Sequence, residues 1–232
     1  MPNRAAQRQA LLNCTLFTAM QPEELDRLLA MASERAVRRG QTIFLKGDPG
    51  SSMMAVLSGS VRISTGSSDG KEITLNIIRT GDVFGEIALL DGRPRSADAT
   101  AIEDCNLLVI ERRHFQPFLH ANHDLLVRML AMLCHRLRQT SAALGDLVTL
   151  DLPGRLARLL MRLADDHGTQ TPAGIRIEFK LSQRDIGTRV ASSRESVNKQ
   201  LQVWRDAGLV SLDHGYITLR QPERLRDLCE ID

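Results

Sequence analysis

Residues 84–100 read FGEIALLDGRPRSADAT, and this stretch decides how the N-terminal half of the chain is interpreted. Glu86 lies inside an apolar run, and Arg95 and Ser96 follow it after a bend that contains glycine. Two interpretations compete. Either the acid and the arginine lie on a solvated rim, or they face a shared pocket in which a ligand satisfies them. Residue type alone leaves both interpretations open.

The same stretch belongs to a series of short apolar segments separated by turn sequences. Between Gln41 and about Ile110 the segments are TIFL, MMAVL, SVRIST, EITLNII, DVFGEIALL, SADATA and CNLLVI, and the turns include GDPG, SGS, SSDG, RTGD and DGRP. Frequent short strands with Gly and Asp turns predict an antiparallel barrel or roll. Upstream, residues 20–40 are predicted to form a helix with Pro22 at its start.

The composition excludes several classes of protein. The chain has 232 residues, of which 43% are hydrophobic and 25% charged, as in a soluble globular protein. No apolar run approaches the ~20 residues that span a bilayer, and the start lacks a hydrophobic leader, so a cytoplasmic location is expected. The 4 cysteines lack a C-x-x-C pair, which argues against a metal site or a disulfide framework. The sequence shows neither a nucleophile–base pair nor a phosphate-binding loop, so an enzyme is not expected.

A long helix with a heptad seam is predicted from about Asn122 to Leu150. The leucines of its seam are Leu126, Leu130, Leu133, Leu137, Leu144 and Leu147. So narrow a stripe predicts a dimerisation helix over residues 124–148, because a helix packed on its own barrel needs a broader apolar face. Thr140 occupies one seam position, with Ser141 beside it. A polar residue there either sets the register or hydrogen-bonds something bound at the seam.

The stretch LDLPGR, residues 150–155, is predicted to be a hinge. Pro153 and Gly154 prevent one continuous helix at this point. Residues 155–166 are predicted to be helical again. The weak segment HGTQTPAG and a short strand, IRIEF, follow.

Two further helices and a hairpin predict a winged helix-turn-helix that binds DNA. The helices begin LSQRDIG and SSRESVN, with Ser182 and Ser192 as the predicted N-caps. The segment LVSLDHGYITL predicts a hairpin that turns at His214 and Gly215. Between Arg176 and Arg205 the chain carries seven basic residues against three acidic ones, a balance that favours contact with phosphates.

The second of these helices has distinct apolar and polar faces. The predicted buried stripe is Val197, Leu201 and Trp204. The polar residues around it are Arg194, Glu195, Asn198, Lys199 and Gln202. Residues at the start of a recognition helix reach base edges, where Arg or Lys pairs with guanine and Glu accepts from cytosine. A solvated helix face is the alternative, but the neighbouring caps and hairpin favour DNA reading.

Together, these segments resemble the cyclic-AMP receptor (catabolite activator) and fumarate–nitrate regulator superfamily, over nearly the whole chain. The most specific stretches are FGEIALL…RPRSA and LSQRDIG…SSRESVNKQL. The resemblance implies an α+β chain in three parts. These are an antiparallel β-roll that binds a cyclic nucleotide (residues 1–120), a dimerisation helix (121–149) and a winged helix-turn-helix domain (150–232).

The resemblance also implies a phosphate-binding cassette. It falls on Gly85, Glu86, Ile87, Ala88, Arg95 and Ser96. In cyclic-nucleotide-binding members the glutamate accepts from the ribose 2′-hydroxyl and the arginine pairs with the cyclic phosphate, which suits its planar fork. Thr140 and Ser141 fall where the cyclic-AMP receptor has a Thr-Ser pair that bonds adenine, one residue from each subunit. That match favours cyclic AMP as the effector; cyclic GMP stays open, because hydroxyls bond either purine.

The DNA contacts carry over in the same way. The family's base-reading positions correspond to Arg194, Glu195 and Lys199, and its phosphate-contacting positions correspond to Ser182, Ser193 and Ser196. Two departures stand out. Lys199 replaces the usual arginine, and a lysine lacks the guanidinium fork that sharpens base discrimination. Ala191 occupies an inter-helix turn that commonly carries glycine.

The implied function is a homodimeric, allosteric transcription regulator, an activator or a repressor, that works with RNA polymerase and is not an enzyme. It would bind palindromic operator DNA in response to a cyclic nucleotide. Two alternatives stay open. In the first, the cassette is vestigial or serves another effector. In the second, the chain is the regulatory module of a larger signalling system.

Overall fold

The strands of the N-terminal part form two four-stranded antiparallel sheets. The strands are β1 (Ser33–Val37), β2 (Thr42–Phe44), β3 (Ser52–Ser58), β4 (Ser60–Gly66), β5 (Glu72–Arg79), β6 (Val83–Phe84), β7 (Asp98–Ala101) and β8 (Cys105–Glu111). Their order is β1-β8-β3-β6 in one sheet and β2-β7-β4-β5 in the other. This arrangement confirms the predicted antiparallel β-roll.

The structure is a computed structural model and describes residues 8–9, 11–12, 14, 16–18, 20–66, 72–180 and 182–229. The predicted turn SSDG, residues 67–70, lies outside the described residues. The chain divides into two compact units between Arg138 and Gln139, inside its longest helix.

Helix α1 (Pro22–Met31) is shorter than the sequence predicts. Glu24 accepts a hydrogen bond from the backbone N–H of Gln21 at 3.0 Å and so caps the helix start. The prediction that the helix continues to residue 40 is wrong, because residues 33–37 form β1 and pair with β8. This edge strand carries Glu34 and Arg35, and such charged edges lack the apolar alternation by which strands are recognised.

The remaining helices of this half are α2 (Glu86–Asp91), α3 (Arg112–Ala121) and α4 (His123–Thr149). Sequence analysis predicts neither α2, which it includes in the strand DVFGEIALL, nor α3, which precedes the expected helical period. The roll has a core on each side of its β3–β8 sheet. Val56, Val61 and Phe84 lie between the two sheets. Leu25 and Phe115 pack on the other face of that sheet.

The C-terminal half has its own core. Its elements are α5 (Leu152–His167), β9 (Gly168–Thr171), β10 (Gly174–Ile177), α6 (Gln183–Arg189), α7 (Arg194–Asp206), β11 (Val210–Asp213), β12 (Tyr216–Leu219) and α8 (Pro222–Asp227). The sheet order is β11-β12-β10-β9. Strand β9 is not predicted from the sequence, because its residues GTQT lack an apolar pattern. Leu160, Ile186, Leu201 and Ile217 join the helices to the sheet in one cluster.

The predicted break in the long helix is confirmed. Helix α4 ends at Thr149 and α5 begins at Leu152. Asp151 caps the new helix, since its Oδ1 accepts from the backbone N–H of Gly154 at 2.9 Å. Pro153 lies in the first turn of α5, where its missing N–H costs no helical hydrogen bond.

Among the described residues, no helix has the length and hydropathy needed to cross a membrane. Within the same residues, no cluster of His, Cys, Asp or Glu has the grouping of a metal site. Cys14, Cys105 and Cys229 are buried, whereas Cys134 is exposed.

Candidate ligand and DNA-binding sites

The cassette is built on a sharp bend between β6 and α2. Gly85 makes this bend with a φ of 77°, a left-handed conformation that favours glycine. A Cβ at this position would lie 2.6 Å from Nη1 of Arg95. Glycine is therefore needed both for the bend and for the close approach of the arginine.

Arg95 is buried among neutral oxygens. Its Nη1 donates to the carbonyl oxygens of Ser52 at 2.7 Å and Gly85 at 2.9 Å, and its Nη2 donates to the Ser52 hydroxyl at 3.1 Å. The guanidinium lies 4.2 Å from the centre of the Phe44 ring. Burial lowers the pKa of Arg95, and the charges of Asp48 and Glu86 oppose that effect.

One donor of this guanidinium remains unused. Nε of Arg95 is buried and hydrogen-bonds no atom among the described residues. A desolvated cation with an unused donor suits an anion such as a phosphate, with which it can form a charge-assisted hydrogen bond.

Glu86 is paired with a residue that sequence analysis missed. Nη1 of Arg136, on α4, lies 2.6 Å from Oε1 of Glu86, whose side chain is 2% exposed. Nη2 of the same arginine donates to the Val83 carbonyl at 2.5 Å. The sequence offered one signal, because Arg136 lies one helical turn before Thr140 and so shares its face of α4.

These positions decide between the two interpretations of the opening stretch. Glu86 and Arg95 are both buried, so the solvated rim is wrong. The expectation that only a ligand satisfies the carboxylate is also wrong, since Arg136 already binds it. Ser52, at the start of β3, is a second cassette residue that the sequence did not reveal.

The other cassette residues lie around the bend. Ala88 is buried, and a Cβ on Gly50 would lie 2.1 Å from its Cβ, so the β2–β3 loop packs directly on α2. Ile87 and Ser96 are exposed. The six predicted cassette residues thus lie in the bend before α2, in the first turn of α2 and in the loop that follows the helix.

The seam of α4 is exposed in the single chain. Five of its six leucines, at positions 126, 130, 137, 144 and 147, are each exposed over at least a third of their surface, and Leu133 is half-buried. Thr140 and Ser141 are exposed on the same helix. Exposed leucines at heptad spacing are typical of helices that pair with another helix.

The two helices of the helix-turn-helix begin at serine caps. Oγ of Ser182 accepts from the N–H of Asp185 at 3.0 Å, which confirms the first cap. The second prediction is wrong by one residue. Ser193 rather than Ser192 caps α7, accepting from the N–H of Ser196 at 3.0 Å. Ser192 instead donates its backbone N–H to the Gly187 carbonyl and so belongs to the turn.

Helix α7 presents the polar face that the sequence predicts. Val197, Leu201 and Trp204 are buried. Arg194, Glu195, Ser196 and Lys199 are exposed. Asn198 is half-buried, and its Oδ1 accepts from Nε2 of Gln183 at 2.8 Å, a bond that ties α7 to α6. Its amide oxygen therefore has a structural role.

Two cations from β10 and the segment after it lie beside the hairpin. His214 and Gly215 have φ values of 45° and 90°, as a two-residue type I′ turn requires, which confirms the predicted hairpin. The guanidinium of Arg176 lies 4.4 Å from the centre of the Tyr216 ring. Nζ of Lys180 lies 5.7 Å from the same ring. Both cations are thus held beside the hairpin.

Each half of the chain matches a known protein family. The cyclic nucleotide-binding domain family matches residues 34–122, and the Crp-like helix-turn-helix domain family matches residues 154–228. The chain is 31% identical over 217 residues to the CRP-like cAMP-activated global transcriptional regulator of Mycobacterium tuberculosis, covering 94% of this chain and 97% of that protein. It is 30% identical over 213 residues to the cyclic AMP receptor protein of Thermus thermophilus, covering 92% and 95% respectively.

A solved structure agrees with the sequence relatives. TTHB099, a CRP-family transcriptional regulator of Thermus thermophilus, superposes with a TM-score of 0.68 and 30% identity, covering 84% of this chain and 96% of that one. Both domain families occur in the expected order, and the relatives align over nearly their full length. The chain belongs to the cyclic-AMP receptor (CRP/FNR) family of cyclic-nucleotide-binding transcription regulators.

Proposed function

We propose that the protein is a cytoplasmic homodimer that binds palindromic operator DNA in response to cyclic AMP and acts with RNA polymerase as an activator. The observation that carries the proposal is the state of Arg95. It is buried, its hydrogen bonds go to neutral oxygens, and its Nε is unused. A cyclic phosphate would supply the anionic hydrogen-bond partner that this guanidinium lacks.

The nucleotide would be held by both charged residues of the cassette. Arg95 binds the cyclic phosphate, with Ser96 and the backbone of Ile87 and Ala88 around it. Glu86 has one oxygen on Arg136, which leaves Oε2 for the ribose 2′-hydroxyl. Because Arg136 belongs to α4, ligand binding at the glutamate acts directly on the long helix.

The long helix would join the subunits and meet the base. Burying the exposed seam over residues 124–148 against a second copy removes its apolar surface from water. Thr140 of one subunit and Ser141 of the other then hydrogen-bond adenine. The ligand favours the DNA-binding state only as far as it binds that state more tightly.

The DNA-binding half would read the operator through α7. Arg194, Glu195 and Lys199 reach base edges, while Ser182, Ser193 and Ser196 lie near phosphates. Two copies of α7 enter successive major grooves, which lie ~34 Å apart along the DNA. Arg176 and Lys180 place positive charge beside the hairpin, where it strengthens binding to any sequence.

Calorimetry with cyclic AMP and cyclic GMP tests the proposal. We expect heat of binding with wild type and roughly 10- to 100-fold weaker binding with Arg95→Lys, which keeps the charge but loses the planar fork. Arg93→Lys is the matched control, because Arg93 is exposed in the same loop. Stronger binding of cyclic GMP would reassign the effector. Equal affinity of wild type and Arg95→Lys would refute the assigned pocket.

A ligand-independent regulator is the second candidate. The observation in its favour is that Arg136 and Ser52 already bind the charged groups of the cassette without a nucleotide. This candidate predicts no heat with either nucleotide and full operator affinity in their absence.

A further inference from the structure

Three side-chain amides meet between the two helices of the helix-turn-helix. Gln183 is the first residue of α6, and Asn198 and Gln202 lie one turn apart on α7. Nε2 of Gln183 donates to Oδ1 of Asn198 at 2.8 Å, and Nε2 of Gln202 donates to the same oxygen at 3.5 Å. All three side chains are half-buried. Both acceptor positions of the Asn198 amide oxygen are therefore in use.

The same two helices are also joined at the turn between them. The backbone N–H of Ser192 donates to the Gly187 carbonyl at 2.9 Å. A Cβ added at Gly187 would lie 2.8 Å from the Ser192 carbonyl oxygen, so the turn passes close to α6. Gly187 and Gln183 are four residues apart on α6, a rise of about 6 Å along the helix. The helices are thus held at two separate points, one at the turn and one at the amides.

The second point restricts the angle of α7 more narrowly than its apolar face does. Val197, Leu201 and Trp204 bury that face, but hydrophobic burial has no preferred direction. A hydrogen bond does have one, and it keeps its two heavy atoms within a range of about 0.5 Å. The bond between Gln183 and Asn198 therefore specifies how α7 is turned relative to α6.

The amide bond lies beside the residues that the proposed function assigns to base reading. Arg194 and Glu195 precede Asn198 on α7 by four and three residues, so they share its side of the helix. Lys199 follows Asn198 directly. Because all of them are carried by one helix, a change in its angle would displace each of them from its base edge at the same time.

An asparagine on a recognition helix can also read a base itself. It reads adenine with a paired donor and acceptor, which are its amide nitrogen and its amide oxygen. The oxygen of Asn198 already accepts from Gln183 and Gln202. Paired contact with adenine would require the bond to Gln183 to break, so the observed arrangement favours support of the helix over base reading.

We propose that Gln183 and Asn198 are positioning residues, which set the angle of the recognition helix and read no base themselves. The side chains that α7 directs to the DNA then owe part of their discrimination between bases to this bond. The role in discrimination rests on the proposed function, whereas the coupling between the two amides is measurable without DNA.

A double-mutant cycle on the full-length protein tests the coupling. Gln183→Met keeps the length of the side chain but has no donor, and Asn198→Ala has no acceptor. In urea denaturation, we expect their effects on the unfolding equilibrium constant to be coupled by about fivefold, the contribution of one hydrogen bond. Gln200→Met is the control, because this half-buried side chain of α7 has no hydrogen bond within the described part of the chain. Additive effects of Gln183→Met and Asn198→Ala would overturn the proposal.

Discrimination between DNA sequences tests the positioning role. The probe is a palindromic operator that the wild-type protein selects from random-sequence DNA with cyclic AMP present, compared with its single-base variants by fluorescence anisotropy. We expect Gln183→Met and Asn198→Ala each to lower discrimination roughly fivefold at every base pair that Arg194, Glu195 and Lys199 read. A purely structural role would lower stability and leave these ratios unchanged, and base reading by Asn198 would relax one position only. Either result would overturn the proposal.

Gln183→Lys tests whether a donor at this position restores discrimination. Its ammonium group can donate to the Asn198 oxygen, and its charge strengthens binding to all sequences alike, an effect that cancels in the ratio of affinities. We expect this variant to recover most of the discrimination that Gln183→Met loses. Discrimination as low as that of Gln183→Met would overturn the role of the donor. If the wild-type protein selects no operator, the proposed function fails and the positioning role fails with it, whereas unchanged discrimination in Gln183→Met refutes the positioning role alone.

Discussion

Arg136 on the long helix holds Glu86 of the cassette, with 2.6 Å between Nη1 and Oε1. The carboxylate is nearly inaccessible, and the arginine also binds the Val83 carbonyl at the strand before it. A single side chain thus connects the cassette to the helix that carries the seam. Any ligand that engages Glu86 must share it with Arg136.

Replacing Arg136 should destabilise the β-roll. Arg136→Gln leaves Glu86 buried without its cation, and we expect a loss of about 3 kcal/mol in the free energy of unfolding. Urea denaturation at neutral pH measures it. In the double variant with Glu86→Gln most of this loss should disappear, because no buried charge is left alone. Arg138→Gln, two residues on and exposed, should have little effect. Additive losses in the double variant would contradict the pairing.

The buried thiol of Cys14 makes stability depend on alkaline pH. Burial raises the pKa of Cys14 from 9.0 to about 11. The folded state therefore holds this proton more tightly than the unfolded state. The resulting stability is present below pH 9 and is lost as the pH rises towards 11. The loss from this group amounts to about 3 kcal/mol.

Cys14→Ala isolates that contribution. Between pH 8 and pH 11, wild type should lose more unfolding free energy than Cys14→Ala, as urea titrations at each pH would show. Cys134→Ala is the control, because that cysteine is exposed. Parallel curves for wild type and Cys14→Ala would exclude the buried thiol as the cause.

Ala191 occupies a strained position in the helix-turn-helix. Its φ is 49°, a region that costs a residue with a Cβ roughly 1 kcal/mol. Ala191→Gly should therefore raise the free energy of unfolding by up to about 1 kcal/mol. The gain is reduced because glycine loses more conformational entropy on folding than alanine does. Thermal unfolding measures the change. Ala207→Gly, at a φ of −80°, should be destabilising. Equal losses in both variants would argue against strain at Ala191.

The two helices of the DNA-binding domain should respond differently to substitution. Glu195→Ala should relax base preference at one operator position, whereas Ser182→Ala should weaken binding to all sequences alike. Because Ser182 also caps α6, its replacement should cost about 1 kcal/mol of stability, and Ser182→Thr should restore the cap. Binding to a panel of single-base operator variants separates these effects. Uniform weakening by Glu195→Ala would argue against base reading by α7.

The sequence predicts the elements whose local signals agree with their tertiary setting. Most strands of the roll have apolar segments bounded by glycine turns, and the apolar stripe of α7 is buried as expected. Predictions fail where a local pattern is weak or conflicts with packing. Edge strand β1 carries charges, β9 is polar throughout, and the apolar run of FGEIALL hides the point where a strand becomes a helix at Gly85.

The candidate site can be predicted only in part, because some of its residues have a clear local signal and others do not. Glu86 and Arg95 stand out because charge is unusual within an apolar run. Their partners do not stand out. Ser52 and Arg136 are ordinary residues in their own segments, 43 and 50 positions away along the chain from the groups that they bind. Only the folded arrangement shows that they belong to the cassette.

The central claim is that the nucleotide and the DNA stabilise the same state of one molecule. Its most direct test is the affinity for a palindromic operator, measured by fluorescence anisotropy with and without saturating cyclic AMP. We predict at least about tenfold tighter DNA binding with the nucleotide, and the same factor for nucleotide affinity when DNA is present, because coupling between two ligands is reciprocal. Equal operator affinity in both conditions would contradict the account.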